Sequence, residues 1–198
     1  MHERTKRNIA FGIGAIGKDM VYALSSGYVM YYYQDILGLS ASFVGLVLML
    51  ARVFDAANDP FMGVLVAKTK SRRGRFAPWL FSGTVLNALA LYALFAAPSI
   101  SAAGTMLYFA VVYVLWGVTY TMMDIPFWSL IPAITGPGKE REMLTVIGRT
   151  CAGLGNALIT VGTAMAVIIL GKGNERIGFE RVALLVSVLF LIAEWILI

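Results

Sequence analysis

The chain has 198 residues, 59% of them hydrophobic and 14% charged, with a net charge of +5. Soluble domains carry about 25% charged residues, so a mean hydropathy of +0.78 excludes an ordinary soluble core and points to a lipid bilayer as solvent. The basic residues fall in short clusters between apolar runs, without a continuous stripe or interleaved aromatics, so no nucleic-acid partner is expected. One cysteine, Cys151, excludes a disulfide framework.

The amino terminus, MHERTKRNIAFG, begins basic but lacks a short apolar core ending at a small-residue cleavage site, so the first helix is expected to be retained. A helix needs about 20 mostly apolar residues to cross the hydrocarbon core. Six stretches qualify, at roughly 8–33, 43–67, 77–97, 104–131, 143–170 and 179–198. The breaks between them, QDILGLSAS, KTKSRRGRFAP, APSISAAG, ITGPGKERE and GKGNERIGFE, are short and rich in Gly, Pro, Ser or charge. The expectation is an all-α membrane protein, with one six-helix transmembrane domain over 1–198. The sixth run ends at FLIAEWILI without a basic flank or polar tail, which reads as a truncation.

Orientation follows from Lys and Arg in the short loops. Arg4, Lys6 and Arg7 precede the first helix, and Lys68, Lys70, Arg72, Arg73 and Arg75 fill the second loop, so both are expected to face the cytoplasm. The first and third loops carry no Lys or Arg, and the fourth carries Lys139 and Arg141, in keeping with alternation across the membrane. The fifth loop dissents, with Lys172, Arg176 and Arg181 on the expected outer side.

Seven ionisable residues fall well inside these spans: Lys18, Asp19, Arg52, Asp55, Asp59, Asp124 and Arg149. Each costs about 2.5 to 3.5 kcal/mol at a helix centre, so they are expected to face the bundle interior. Three cations stand against four carboxylates, and one monovalent cation would balance the difference.

Within RVFDAANDP, Arg52, Asp55 and Asp59 lie three and four residues apart and share a helical face. Two carboxylates one turn apart repel; protonation of one, pairing with Arg52 or a bound metal ion relieves this. Hard oxygen ligands suit sodium, and Asn58 and the carbonyl freed by Pro60 could add to the set. In WGVTYTMMDIPFWSLIP, Asp124 stands among Tyr120, Thr121 and Trp128. A carboxylate beside aromatic rings suits sugar binding, since the acid accepts hydroxyl hydrogen bonds while a ring stacks on the pyranose. Lys18 and Asp19 diverge by about 100 degrees around their helix, too far for a simple mutual salt bridge, so each is expected to find its own partner. Arg149 is expected to pair with Asp19 or Asp124, with Ala152, Gly153 and Gly155 allowing close approach. The first and fourth helices each carry a mid-span aspartate, consistent with a three-plus-three repeat.

Together, GKD, RVFDAANDPFMG, KSRRGRFAPW and YTMMDIPFWSLIP resemble the glycoside/pentoside/hexuronide:cation symporter family, especially its melibiose carriers, within the major facilitator superfamily. The resemblance implies twelve helices in two halves, with this chain as the amino-terminal half and a second six-helix half expected. It implies a cation site from Asp55, Asn58, Asp59 and Thr121. It further implies a sugar site from Lys18, Asp19, Tyr120, Asp124, Trp128 and Arg149, and a gating or structural role for Arg52, Arg73 and Arg75. The implied partners are a glycoside and a monovalent cation, sodium or else a proton or lithium, with no other cofactor. The implied location is a bacterial plasma membrane with the amino terminus inside. Melibiose carriers tend to place a tyrosine where this chain has Ser26, and the gating loop's usual acid is absent near Gly63, so a glycoside other than a galactoside is in scope.

The resulting expectation is cation-coupled sugar symport, in which the ion neutralises Asp55 and Asp59, without enzymatic chemistry. One alternative is an inactive or regulatory membrane fragment. Another, an intramembrane aspartic hydrolase, is disfavoured because such enzymes bring acids from two helices together, whereas Asp55 and Asp59 share one turn.

Overall fold

A computed structural model describes residues 2–198. Six helices account for nearly all of them: α1 His2–Tyr31, α2 Ala41–Lys68, α3 Ala77–Phe95, α4 Ala102–Ile134, α5 Lys139–Gly171 and α6 Glu175–Leu197. Helix α1 continues into a π-helical turn, Tyr32–Ile36. The starts of three helices are capped: Ser40, Ser101 and Asn174 accept hydrogen bonds from the backbone N–H groups of Phe43, Gly104 and Ile177. By length and composition α2 to α5 can each cross a membrane. Helices α1 and α6 run beside them and hold charges within their apolar runs, Lys18 and Asp19 in the first and Glu194 in the second.

Helix α1 packs against α5 and α6, α3 lies between α4 and α6, and α2 leans on α4. With no hydrophobic drive between helices in lipid, close packing of small residues holds such a bundle together. At Gly155 of α5 an added Cβ would collide with the carbonyl of Ile16 in α1, and at Gly17 of α1 it would lie 2.6 Å from the Cβ of Ala193 in α6. Gly155 thus lets α5 approach α1 closely, although not to bring Arg149 to a carboxylate, and Gly153 faces open space. Only 17% of the apolar window of α2 and 22% of that of α5 is buried, against 44% for α3 and 33% for α4, so of these four spans α2 and α5 leave most of their apolar surface uncovered.

The helices alternate in direction. One end gathers the amino terminus, the loops after α2 and α4, and the end of α6. There Arg7 donates to the Ile134 carbonyl at 2.9 Å and to Glu140 at 2.7 Å, and Arg73, Arg75, Leu130, Leu197 and Ile198 share a cavity of about 160 Å³. The opposite end gathers the other three loops, where the Tyr31 hydroxyl donates to Glu175 at 2.7 Å. It also accounts for the dissenting fifth loop. Arg176 donates to the Ala97 carbonyl just beyond α3, and Arg181 donates to the Leu170 carbonyl of α5 at 2.6 Å. Both satisfy carbonyls at helix carboxyl ends and complement the helix dipoles. Their positions are therefore explained by packing, whichever side of the membrane they face.

Candidate functional site

Tyr120, Asp124 and Trp128 recur every fourth residue of α4 and so share one face. That face receives Lys18 from α1. Lys18 is 3% exposed, and its Nζ donates to Asp124 Oδ1 at 2.6 Å and to the Tyr120 hydroxyl at 3.0 Å. The indole N–H of Trp128 donates to the same Asp124 oxygen at 3.1 Å. The ammonium also lies 5.1 Å from the Trp128 ring centre and 5.4 Å from that of Tyr120, within cation–π range. One carboxylate, one ammonium and two amphipathic rings thus form a single network between α1 and α4.

Two expectations need correction here. Lys18 and Asp19 do meet, with Nζ 3.1 Å from Asp19 Oδ2. The four-carbon lysine stem bends around the helix and covers an angle that fixed Cβ directions suggest is too wide. The contact is a charge contact only, because Asp19 Oδ2 has no hydrogen-bond partner. Arg149 pairs with neither Asp19 nor Asp124. Its guanidinium lies exposed over Trp128, 4.2 Å from the ring centre, because Lys18 already occupies Asp124.

The second cluster lies between α2 and α4. Asp55 and Asp59 line one cavity of about 170 Å³ together with Arg52, Tyr120, Thr121 and Asp124. Thr121 donates to Asp59 Oδ1 at 3.2 Å, and Arg52 Nη1 approaches Asp55 Oδ2 at 3.7 Å. A Cβ added at Gly117 of α4 would lie 2.9 Å from Asp55 Oδ1, so the glycine makes room for the carboxylate. Asn58 is not among the residues lining this cavity, and its amide nitrogen is buried without a hydrogen-bond partner. Arg73 and Arg75 lie in the exposed loop after α2, away from both clusters, where Arg75 packs over Phe76 at 4.7 Å.

The cavity also brings in residues that the sequence reading did not single out. Tyr22, one turn beyond Lys18, and Trp116, one turn before Tyr120, line the same space, and the buried Trp116 indole N–H has no partner. Their helical spacing from Lys18 and Tyr120 was the available signal. Glu194 of α6 is fully buried. The cost of an intramembrane charge singles it out on the same grounds as the other seven, and it raises the count to five carboxylates against three cations.

The expectation that every intramembrane charge faces the bundle interior holds only in part: Lys18 and Glu194 are buried and Asp19, Asp55 and Asp124 half-buried, whereas Arg52, Asp59 and Arg149 are exposed. Apolar helices that gather such charges around a cavity define a multi-pass membrane protein of transporter type. The family model described as MFS/sugar transport protein matches residues 10–198, and the chain belongs to that family, the glycoside/cation symporters of the major facilitator superfamily. It is similar to the inner membrane symporter YicJ of Escherichia coli, with 33% identity over 88% of this chain and 38% of the relative. It is also similar to the raffinose carrier protein of Pediococcus pentosaceus, with 29% identity over 94% of this chain and 32% of that protein. The isoprimeverose transporter of Lactiplantibacillus pentosus is 27% identical over 94% of this chain and 40% of its own length. The chain therefore spans about a third to two fifths of the length of these relatives, and family membership corresponds to a six-helix half of the superfamily fold.

Proposed function

We propose that this chain supplies the cation site and part of the sugar site of a secondary transporter that carries a glycoside together with a monovalent cation. The observation that carries the reading is the shared cavity: Asp55, Asp59 and Thr121 stand on the same 170 Å³ space as Tyr120 and Asp124. Hard oxygen donors from α2 and α4 suit sodium, lithium or a proton, with Asp55, Asp59 and Thr121 as the ligands favoured by geometry and Asn58 as a further candidate. The sugar would take Asp124 and Asp19 as acceptors, Lys18 and Arg149 as donors, and the Trp128 ring as a stacking platform.

Coupling follows from contiguity. A cation on Asp55 and Asp59 would draw α2 and α4 together and order the α4 face that carries Tyr120, Asp124 and Trp128. Linkage then requires sugar to raise cation affinity by the same factor. A complete carrier would close a second six-helix half over this site, and the basic end of the bundle, with Arg73 and Arg75, would face the cytoplasm of a bacterial plasma membrane. Equilibrium binding of raffinose, melibiose and an aryl glucoside, each with sodium, lithium or acid pH, tests the reading. Cation-enhanced binding of any one of them supports it, and sugar binding indifferent to every cation contradicts it.

A further inference from the structure

Glu194 stands apart from both proposed sites. It is 0% exposed, and neither carboxylate oxygen has a hydrogen-bond partner. Helix packing put it there: Gly17 of α1 seats Ala193, and one turn earlier Gly14 leaves the space that the neighbouring carboxylate fills. A Cβ at Gly14 would lie 3.5 Å from Glu194 Oε1, 3.1 Å from Phe127 and 3.2 Å from Leu197. Phe127 and Leu197, which border this space, offer no side-chain donor, in keeping with the two unpartnered oxygens.

Phe127, which borders the Gly14 space beside Glu194, has its ring centre 5.6 Å from Lys18 Nζ and so joins this space to the Lys18–Asp124 pair. Several other titratable groups on the helices packed against α6 are engaged elsewhere, while Lys139, Arg141 and Glu142 stand in the first turn of α5. On α1, Asp19 contacts Lys18, Arg7 bonds Glu140 of α5, and Tyr31 bonds Glu175 at the far end. On α5, Arg149 covers Trp128 and the Cys151 thiol abuts Gly12. On α3, Tyr92 bonds Glu180, and in the π turn Tyr32 and Tyr33 bond carbonyls at the end of α3.

An ionised carboxylate with neither hydrogen bonds nor a contacting cation is among the costliest states a protein interior can hold, and the neutral acid avoids most of that cost. A metal ion would need several ligands, and among the described residues no group of three or more His, Cys, Asp or Glu is placed to hold one. A proton needs none. We propose that Glu194 is a proton-binding site linked to the Lys18–Asp124 pair. The proton comes from water and returns to it, no other covalent bond changes, and the bared carboxylate then competes with Asp124 for Lys18. This goes beyond the cation and sugar sites proposed above; it shares Lys18 and Asp124 with the sugar site but requires neither sugar nor alkali cation.

Infrared spectra of the purified chain, with and without carbon-13 at the glutamate side-chain carboxyls, test the site. A protonated glutamic acid band that moves with the label, fades as pH is raised, is lost in Glu194→Gln and persists in Glu175→Gln is expected. Absence of such a band from the unmodified chain, or its survival in Glu194→Gln, overturns the proposal; the unmodified chain decides even where the variant fails to fold. Nitrogen-15 lysine resonances test the link. The Lys18 signal is expected to shift over the same pH range in the unmodified chain and to lose that shift in Glu194→Gln. A Lys18 signal indifferent to pH overturns the link. Neither measurement uses sugar or alkali cation, so failure of the symport reading would appear separately, as absent ligand binding.

Discussion

Lys18 Nζ lies 2.6 Å from Asp124 Oδ1 and ties α1 to α4. The pair is shared, since the same ammonium reaches Asp19 and the same carboxylate oxygen accepts from Trp128. Removing the lysine strands two carboxylates inside the bundle. Breaking one side of a buried pair costs about 3 to 5 kcal/mol, and the partial exposure of the Asp124 side chain places Lys18→Met near the lower figure. Thermal unfolding in detergent is expected to show a clear drop for Lys18→Met and partial recovery in the double variant with Asp124→Asn.

Gly117 and Asp55 give a sharper test of the cavity. An added methyl at Gly117 would press on Asp55 Oδ1 from 2.9 Å. The side chain is half-buried and can turn, so Gly117→Ala is expected to keep the fold while weakening cation binding by about tenfold, or about 1.4 kcal/mol. Calorimetric titration reads the shift, and unchanged affinity would remove Asp55 from the cation site.

Arg149 and Trp128 make an exposed stack at 4.2 Å, where a cation–π contact contributes about 0.5 to 1 kcal/mol. Arg149→Lys keeps the charge and loses the planar fork. It is expected to leave thermal stability within about 1 kcal/mol of the parent while lowering sugar affinity several-fold. A loss of stability with unchanged sugar binding would make the arginine a packing residue.

The α1–α5 seam predicts a purely structural defect. Gly155 meets the backbone of Ile16, which no side-chain rotation can relieve. Gly155→Leu is expected to cost at least about 1 to 3 kcal/mol, the usual range for overpacking, whereas Gly153→Leu, facing open space, is expected to be near neutral. Equal unfolding temperatures for the two variants would contradict this packing.

Helix positions, turns and the shared face of Arg52, Asp55 and Asp59 were legible because they depend on local periodicity and composition. The partners of Lys18 were not, because a flexible stem reaches contacts that helical angles alone exclude. Arg149 was expected to seek a carboxylate, but the better-buried Lys18 had already taken Asp124. The fifth loop's arginines read as topology signals, yet Arg176 and Arg181 answer to helix-end carbonyls brought near by tertiary packing. Glu194 needed only the rule already applied to the other intramembrane charges; what sequence could not supply was its enclosure against Gly14.

The central claim is that Asp55 and Asp59 hold a monovalent cation on the same cavity as the sugar-facing side of α4. Calorimetric titration of sodium into the purified chain, with and without melibiose, tests it most directly beside the same chain carrying Asp59→Asn. The account predicts saturable sodium binding that is lost in the variant. Sodium binding of equal strength in Asp59→Asn would contradict it.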